Sequence, residues 1–425
     1  MERNSRTYAT YVRILERELV PAMGCTEPIA LSYCAAVARK TLGDIPTHID
    51  IKVSGNIIKN VKSVVVPNSG GMRGIEVAAA LGALFGKSEL ELEVISKVTP
   101  EETASLPEKM KEISFTLSAL SSCDSLDMII TLTDKGGNTA SVRICGEHTN
   151  IARIEKNGET VFSNQDRKCC DDEELDYSLL LVSDIFDFAS TAEIEDIKHI
   201  LDRQIQYNLA IANHGMTNNY GARIGQIIAK RDNTPRTRAK AMAAAGSDAR
   251  MGGCDMPVII CSGSGNQGMT TSLPVITYAE HYGKTQEELY RALLISNLVT
   301  LHLKHGIGRL SAYCGAVSAG AGAGAGIAYM LTGELRAVNH TIVNALAISS
   351  GIVCDGAKAS CAAKISMAVD AGIMGYEMFK ENCQFYGGDG LVAKGVEKTI
   401  ENISALGNEG MKETDSKIIE IMIKC

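Results

Sequence analysis

The sequence predicts an α+β protein with two domains, an α/β domain over residues 1–175 and an all-helical domain over residues 176–425. In the first part, apolar residues alternate with a period of two in several segments, as is typical of half-buried strands. After a charged stretch at residues 163–174 the pattern becomes helical, and no convincing strand pattern follows. A chain of 425 residues with 45% hydrophobic residues has enough apolar material for two cores.

The first domain is predicted to combine helices with one mixed or antiparallel sheet. Apolar residues at helical spacing predict a helix at residues 8–19, and a second helix is expected at 29–42. Further helices are expected at 74–86, which is rich in Ala, and in the polar segment 101–111. Alternating and β-branched residues predict two strands within 48–66, and further strands at 89–98, 113–118, 127–133 and 140–145. A hairpin with Asn157-Gly158 at its tip follows at residues 151–162, before the polar connection that carries Cys169 and Cys170.

Four polar segments that contain glycine interrupt the predicted helices of the second domain. They lie at residues 213–223 and 262–271, around Cys314, and between Cys354 and Cys361. Such breaks are costly inside a helical domain unless they line a cavity. We therefore expect these segments to line a cavity.

Composition excludes several classes of function. The net charge is −8, there is no basic tract, and aromatic residues are only 5%, so nucleic acid is not an expected partner. The charge-free run at residues 310–332 is mostly Gly, Ala and Ser, which favours a buried helix over a membrane span. The first residues lack the apolar core of a signal peptide, and 13 cysteines is an odd count, so we expect a cytoplasmic protein without a disulfide framework.

Cys25 lies just before a predicted helix, with Gly24 as a turn residue and Thr26 as a candidate N-cap. Free N–H groups at a helix start lower the pKa of a thiol and bind carboxylates. The sequence therefore predicts a reactive thiol at Cys25. The alternative is that Cys25 is a ligand of a metal centre.

Residues 262–268 combine several glycines with hydroxyl and amide side chains ahead of a predicted helix. One interpretation is a cradle for a carboxylate or phosphate, formed by backbone N–H groups and the helix N-terminus. No Gly-Lys-Ser/Thr follows and no strand–helix–strand unit surrounds the segment, which excludes a Walker A loop and a dinucleotide fingerprint. The alternative is an ordinary turn between helices. Residues 213–220 hold a second concentration of polar groups, where His214 is either a general base or a hydrogen-bonding residue.

Cys314, Cys354 and Cys361 are each flanked by small residues and are spaced C-x39-C-x6-C. Small neighbours leave room for a bulky inorganic group next to the sulfur. Structural zinc favours paired C-x2-C knuckles, which are absent, and no familiar ferredoxin spacing applies. Spacing alone leaves an iron–sulfur cluster, a zinc ion and a plain core as alternatives.

Five longer motifs are spread over nearly the whole chain. They are Gly24-Cys-Thr-Glu-Pro-Ile, Ser54-Gly-Asn-Ile-Ile-Lys-Asn, Ala212-Asn-His-Gly-Met-Thr-Asn-Asn-Tyr-Gly-Ala-Arg-Ile-Gly, Gly263-Ser-Gly-Asn-Gln-Gly and Cys354-Asp-Gly-Ala-Lys-Ala-Ser-Cys. Through these motifs the sequence resembles the oxygen-labile, iron–sulfur-dependent L-cysteine desulfidase family and, more distantly in its helical half, the catalytic domain of iron–sulfur L-serine dehydratases. Cys354 and Cys361 are closer together than the dehydratase pattern has them, and no proline follows Asp355.

The resemblance implies conversion of L-cysteine to pyruvate, ammonia and sulfide without pyridoxal phosphate. It implies a 4Fe-4S cluster on Cys314, Cys354 and Cys361, with one iron open to substrate. Cys25 is the implied acid/base residue, and the terminal Cys425 is a candidate cap for the open iron. The implied or expected binders of the amino-acid substrate are Thr26, Glu27, Ser54, Asn56, Asn213, His214, Asn218, Asn219, Ser264, Asn266 and Gln267.

Two other functions stay open at this point. An L-serine dehydratase would use the same chemistry with a different leaving group, and a cluster-bearing redox or binding protein would show no turnover. The residues alone do not decide between cysteine and serine. The oligomeric state, with a homodimer as one outcome, and the physiological role are also open.

Overall fold

The structure is a computed structural model that describes residues 1–120, 125–164 and 175–424. A six-stranded sheet and its helices occupy the first part, and helices dominate the second, which confirms the predicted α+β class. The strands are β1 Pro21–Met23, β2 Pro46–Val53, β3 Ser114–Ala119, β4 Asp127–Asp134, β5 Thr139–Cys145, β6 Ile151–Lys156, β7 Glu159–Ser163 and β8 Pro257–Ile259. The first helices are α1 Arg6–Glu18, α2 Thr26–Leu42, α3 Gly55–Val61, α4 Ile75–Phe85 and α5 Pro100–Lys111.

The second part begins after residue 175 and is built almost entirely from helices. None of the described helices is long and apolar enough to cross a membrane. The charged connection that was expected at residues 163–174, with Cys169 and Cys170, lies mostly outside the described residues. The helices are α6 Val182–Thr191, α7 Ile194–Thr217, α8 Ile224–Ala229, α9 Pro235–Met251, α10 Gly265–His281, α11 Gln286–Ile307, α12 Gly315–Thr332, α13 Leu335–Ser349, α14 Cys361–Lys380, α15 Val396–Ala405 and α16 Lys412–Lys424.

The large sheet has the strand order β3-β2-β4-β5-β6-β7 and is mixed, because β2 and β3 run parallel while the other pairs are antiparallel. Ile51 faces Ile130, and Ile130 faces Val142 across the next pair. All three residues are fully buried, and helix α2 packs on this region of the sheet. The period-two pattern thus produces the buried face that the sequence predicted.

Two predicted strands are absent from the described part of the chain, and one strand of its helical half was not predicted. Residues 55–61 form α3 rather than a strand, because Ile57 and Val61 bury themselves at a helical spacing of four. Residues 88–93 form a short 3-10 turn, although their alternating leucines imitate a strand. Strand β8 was not predicted in the helical half, and it forms because it pairs with β1 from the distant N-terminus.

Helix α12 lies at the centre of the helical part and packs against α10, α11, α13 and α14. Its glycines let neighbouring backbones approach directly. A Cβ atom added to Gly324 would lie 2.5 Å from the carbonyl oxygen of Gly372, and one added to Gly320 would lie 2.3 Å from that of Ala368. The glycine–alanine tract is therefore a packing surface inside the protein, consistent with the predicted buried helix.

We predict that Gly324→Ala destabilises the protein by about 1–3 kcal/mol, because the added methyl group meets a backbone that cannot rotate away. In an open helix the same change would stabilise by roughly 1 kcal/mol. Gly351→Ala is the control, since a Cβ atom there meets nothing within 4 Å. Urea unfolding of both variants measures the difference, and equal free energies of unfolding would contradict the proposed close packing.

Candidate active site

The three cysteines with unusual spacing converge on one cavity. Cys314 is the N-cap of α12, Cys361 begins α14, and Cys354 lies in the loop before α14. An isolated antiparallel bridge between Tyr313 and Val353 joins the two segments, and the N–H group of Cys354 donates to the carbonyl of Ala312 at 2.6 Å. This backbone pairing brings together cysteines that are 40 residues apart in the sequence.

The cavity encloses about 840 Å³ of empty space, part of it open to solvent. Helices α2, α10, α12 and α14 all start at its wall, and each presents free N–H groups and the positive end of its dipole at its first turn. The lining side chains that matter for its chemistry are Cys25, Glu27, Lys59, Asn60, His148, Arg250, Ser264, Asn266, Gln267, Lys304, Arg309, Cys314, Cys354, Cys361 and Lys364.

The chemistry of the three thiols fits a cluster better than a single ion. Among the described residues, no three His, Cys, Asp or Glu side chains are spaced to hold one metal ion. The three thiols nevertheless line the same cavity. Burial and then the charge of Cys354 raise the pKa of Cys314 to about 12, and burial and then Cys354 raise the pKa of Cys361. A cluster is larger than one ion and takes cysteine ligands that are further apart.

Positive charge surrounds the cysteines. Lys304 on α11 is 3% exposed and forms no hydrogen bond or ion pair within the described part of the chain. Burial lowers its pKa to about 8, while Cys354 and Cys314 act in the opposite direction. Lys364 on α14 pairs with Asp355 and also lines the cavity. These cations would stabilise thiolates that hold a negatively charged cluster.

Cys25 is the N-cap of α2, in place of the predicted Thr26, and reaches the same cavity. Its thiol donates a hydrogen bond to Oε2 of Glu27 at 3.0 Å, and Asn60 donates to Oε1 at 2.9 Å. Burial and the Glu27 carboxylate raise the pKa of Cys25, although Arg250 lowers it. The expected lowering of the thiol pKa is therefore wrong for the protein groups alone, because burial outweighs the helix dipole.

Glu27 is a buried carboxylate that stays ionised. Burial alone would raise its pKa, but His148, the Cys25 thiol and Arg250 together lower it. The hydroxyl of Thr26 also donates to Oε2 of Glu27 at 3.2 Å and to the carbonyl of Gly263 at 2.9 Å. Glu27 thus accepts the hydrogen bond of the Cys25 thiol from a fixed position.

The segment at residues 262–268 also reaches the cavity, as the sequence predicted. Ser264 is the N-cap of α10, and a bridge between Cys261 and Ser264 shapes the turn. The amide oxygens of Asn266 and Gln267 are buried and have no hydrogen-bond partner. These side chains present acceptor atoms where a ligand's ammonium group could be bound.

Several cavity residues were missed from the sequence. His148 follows β5, is 7% exposed, and has no partner for Nε2; burial lowers its pKa. Lys59 is buried on α3 and pairs with Asp415 of α16. Arg250 and Lys304 lie within helices that are otherwise ordinary. A lone histidine, arginine or lysine has no local pattern that could mark it, because the cavity forms only when distant segments meet.

Other predicted binders do not line this cavity. The hydroxyl of Ser54 donates to the carbonyl of Ser125, and Asn56 lies in the first turn of α3. Asn213 lines a separate cavity on α7 and α9. His214, Asn218 and Asn219 lie around the end of α7, where Nε2 of His214 is 3.0 Å from the hydroxyl of Tyr220. Cys425 lies outside the described residues.

Eight described cysteines carry free thiols, including Cys34, which is fully buried on α2. Cys145 at the end of β5 is disulfide-bonded. The odd cysteine count did not predict this bond, because a count carries no information about a single pair.

The chain belongs to the serine dehydratase alpha chain family, whose profile matches residues 89–420. This places it among lyases of the serine dehydratase type, a family that depends on iron–sulfur clusters. Similar proteins include a UPF0597 protein from Desulfitobacterium hafniense, 56% identical over 424 residues, which covers 100% of this chain and 98% of that protein. A UPF0597 protein from Finegoldia magna is 47% identical and covers 97% of this chain and 99% of its own length.

Asp248 on α9 holds the polar loop at residues 220–225, where Arg223 has a left-handed backbone with φ of 55°. Its Oδ2 atom accepts from the N–H group of Gly225 at 3.0 Å, while Oδ1 has no partner. Burial raises the pKa of Asp248 to about 6. This carboxylate therefore costs the folded state free energy when it ionises.

We predict that Asp248 makes stability fall as the pH rises. Between the ordinary aspartate pKa of about 4 and the folded pKa of about 6, the folded state binds more protons than the unfolded state, so the loss is complete above pH 6. Asp248→Asn keeps an acceptor for Gly225 and removes the titration. Relative to this variant, the native protein should lose about 1–2 kcal/mol between pH 4 and pH 7 in urea unfolding. An unchanged difference would contradict the assignment.

Proposed function

We propose that this protein is an L-cysteine desulfidase that uses a 4Fe-4S cluster on Cys314, Cys354 and Cys361. The carrying observation is that these three thiols and the Cys25–Glu27 pair line one cavity, surrounded by buried positive charge. The division into an α/β domain, residues 1–175, and a helical catalytic domain, residues 176–425, is part of the proposal. In it the first domain supplies Cys25 to a site that the second domain builds.

The reaction is an α,β-elimination followed by hydrolysis. The Cα proton and the β-thiolate leave L-cysteine to give 2-aminoacrylate and hydrogen sulfide, and water then converts the imine tautomer to pyruvate and ammonia. When bound, the cluster supplies an iron that acts as a Lewis acid on the leaving sulfur. The residues of the chain must fix the substrate, exclude water and move the Cα proton.

Cys25 is the proposed acid/base residue, and Glu27 is the residue that controls its proton. The thiol proton rests on Cys25 and is oriented by a hydrogen bond to the ionised Glu27 carboxylate at 3.0 Å. The thiolate form of Cys25 is the proposed base that takes the Cα proton. Asn60 and Thr26 keep the carboxylate in position through their own hydrogen bonds. Arg250 lowers the pKa of Cys25 and so favours the thiolate.

Ser264, Asn266 and Gln267 are proposed to bind the substrate directly, because they line the cavity and two of them have unpartnered amide oxygens. Thr26 acts through Glu27 and Gly263. The remaining predicted binders do not line the cavity, so they could contact the substrate only if the segments that carry them moved. These residues are Ser54, Asn56, Asn213, His214, Asn218 and Asn219.

L-serine dehydratase is the second candidate, and the family match favours it, since the matching family is described as serine dehydratase alpha chain. The same residues would serve, with hydroxide in place of thiolate as the leaving group. An anaerobic assay separates the two. Sulfide and pyruvate from L-cysteine support the desulfidase, and pyruvate from L-serine without sulfide from L-cysteine supports the dehydratase. Absence of turnover with a loaded cluster would exclude both and leave a redox or binding protein.

We predict that Cys314→Ser, Cys354→Ser and Cys361→Ser each lose the visible absorption of the cluster, because each removes a thiolate ligand. Cys25→Ser should keep the absorption and lose turnover. Cys383→Ser is a matched control, since this thiol is exposed and does not line the cavity. Anaerobic absorption spectra and sulfide release measure both properties. Loss of the absorption in Cys25→Ser would make Cys25 a cluster ligand instead.

We predict that Glu27→Gln lowers kcat by about 10²–10⁴-fold, the usual contribution of a positioned acid or base, and preserves the absorption spectrum. Glutamine keeps the shape of the side chain but removes the charged acceptor that orients the thiol proton. Glu16→Gln, an exposed change on α1, is the control. A variant with native kcat would show that Glu27 only supports the fold.

A further inference from the structure

Arg250 is a buried cation that has no side-chain partner among the residues that the structure describes. It is the penultimate residue of α9, only 2% exposed, and among the largest fully buried side chains. Its Nε atom has no hydrogen-bond partner, and its guanidinium pairs with no carboxylate of the described residues. Burying an unpaired cation is costly, so a side chain in this condition at a cavity wall indicates a place for an anion.

The surroundings of Arg250 are shaped for a flat group that accepts hydrogen bonds. A Cβ atom on Gly265 would lie 2.4 Å from Nε of Arg250, so only glycine leaves room for the guanidinium there. Gly265 is the first residue of α10, whose opening N–H groups lack intrahelical partners. A planar fork of donors beside a helix start matches a carboxylate in both geometry and charge.

Two anions could face Arg250, namely the cluster with its thiolates and the substrate carboxylate. Position separates them. Arg250 lies against Gly265 at the start of α10, next to Asn266 and Gln267, whose amide oxygens have no hydrogen-bond partner among the described residues. Its charge also acts on Cys25 and Glu27, whose pKa values it lowers. Arg250 therefore faces the part of the cavity that Cys25 and Glu27 line.

We propose that Arg250 binds the α-carboxylate of the substrate and thereby restricts the site to amino acids with a free carboxyl group. This inference rests on the proposed function, because it takes an amino acid as the ligand. Bound at Arg250, the substrate lies next to the Cys25–Glu27 pair. Its ammonium group can then reach the amide oxygens of Asn266 and Gln267, which otherwise have no partner.

The test measures binding of two small thiols to the anaerobically purified holoenzyme by calorimetry. 3-Mercaptopropionate carries a thiol and a carboxylate, and cysteamine carries a thiol and an ammonium group. We expect Arg250→Gln to weaken binding of 3-mercaptopropionate by about 100-fold and that of cysteamine by less than about threefold. The KM for L-cysteine should also rise in Arg250→Gln. Arg250→Lys should recover part of the lost affinity for 3-mercaptopropionate.

Arg309→Gln is the matched control. Arg309 lines the same cavity, but its guanidinium is held by Glu18 at 2.8 Å, so removing it should leave the ratio of the two affinities unchanged. The proposal is overturned if Arg309→Gln changes this ratio as much as Arg250→Gln, or if wild-type protein fails to bind 3-mercaptopropionate. It is also overturned if Arg250→Gln loses the cluster absorption while the loaded fraction keeps native affinity for both thiols.

Binding and turnover report separately on the two proposals. If L-cysteine is not converted but the binding of 3-mercaptopropionate still depends on Arg250, the proposed reaction is wrong and the carboxylate site is supported. If Arg250→Gln does not fold, Arg250→Lys is used for the test instead. It keeps the positive charge but replaces the planar guanidinium with a single ammonium group. An unchanged affinity ratio in Arg250→Lys would then overturn the proposal.

Discussion

The close approach of helix backbones along α12 is the constraint on which the helical half depends. Gly320, Gly322 and Gly324 lie against the backbones of α14 and α11 with no space for a side chain. Because α12 is surrounded by α10, α11, α13 and α14, its N-terminus is held inside the protein, and Cys314 is the N-cap residue at that end. The same packing sets where α14 begins, and therefore where Cys361 lies. A tract without functional side chains thus positions two of the three cysteines.

Charge balance is the second determinant of the site. Arg250, Lys59 and Lys304 are all buried around one cavity, and the carboxylates Glu27 and Asp415 balance only part of their charge. Burial of unbalanced charge lowers stability, and proteins accept this cost mainly where a ligand or a reaction needs the charge. An anionic cluster and an anionic substrate would both reduce the imbalance. Family membership among iron–sulfur lyases agrees with that chemistry.

The fold was largely predictable because hydrophobic periodicity is a local property. Strands β2 to β7 and most helices follow from it, whereas the helix at residues 55–61 was mistaken for a strand because isoleucine and valine suit both structures. Strand β8 could not be found from its own three residues, since its partner β1 lies more than 200 residues away. The predicted low pKa of Cys25 failed for a related reason: burial depends on the complete fold.

The α+β class and the buried glycine–alanine helix were predictable from the amino-acid sequence alone. The same holds for the cysteines and for the segment at residues 262–268, which line the cavity. Residue types and short motifs carry this information, because it depends on neighbours along the chain. Which polar residues line the cavity depends on the tertiary structure. Arg250, His148 and Lys304 line it, whereas the predicted Asn213 and His214 do not. A single charged residue forms no sequence pattern that could mark a site. It can be recognised as a site residue only when the folded structure buries it without a partner.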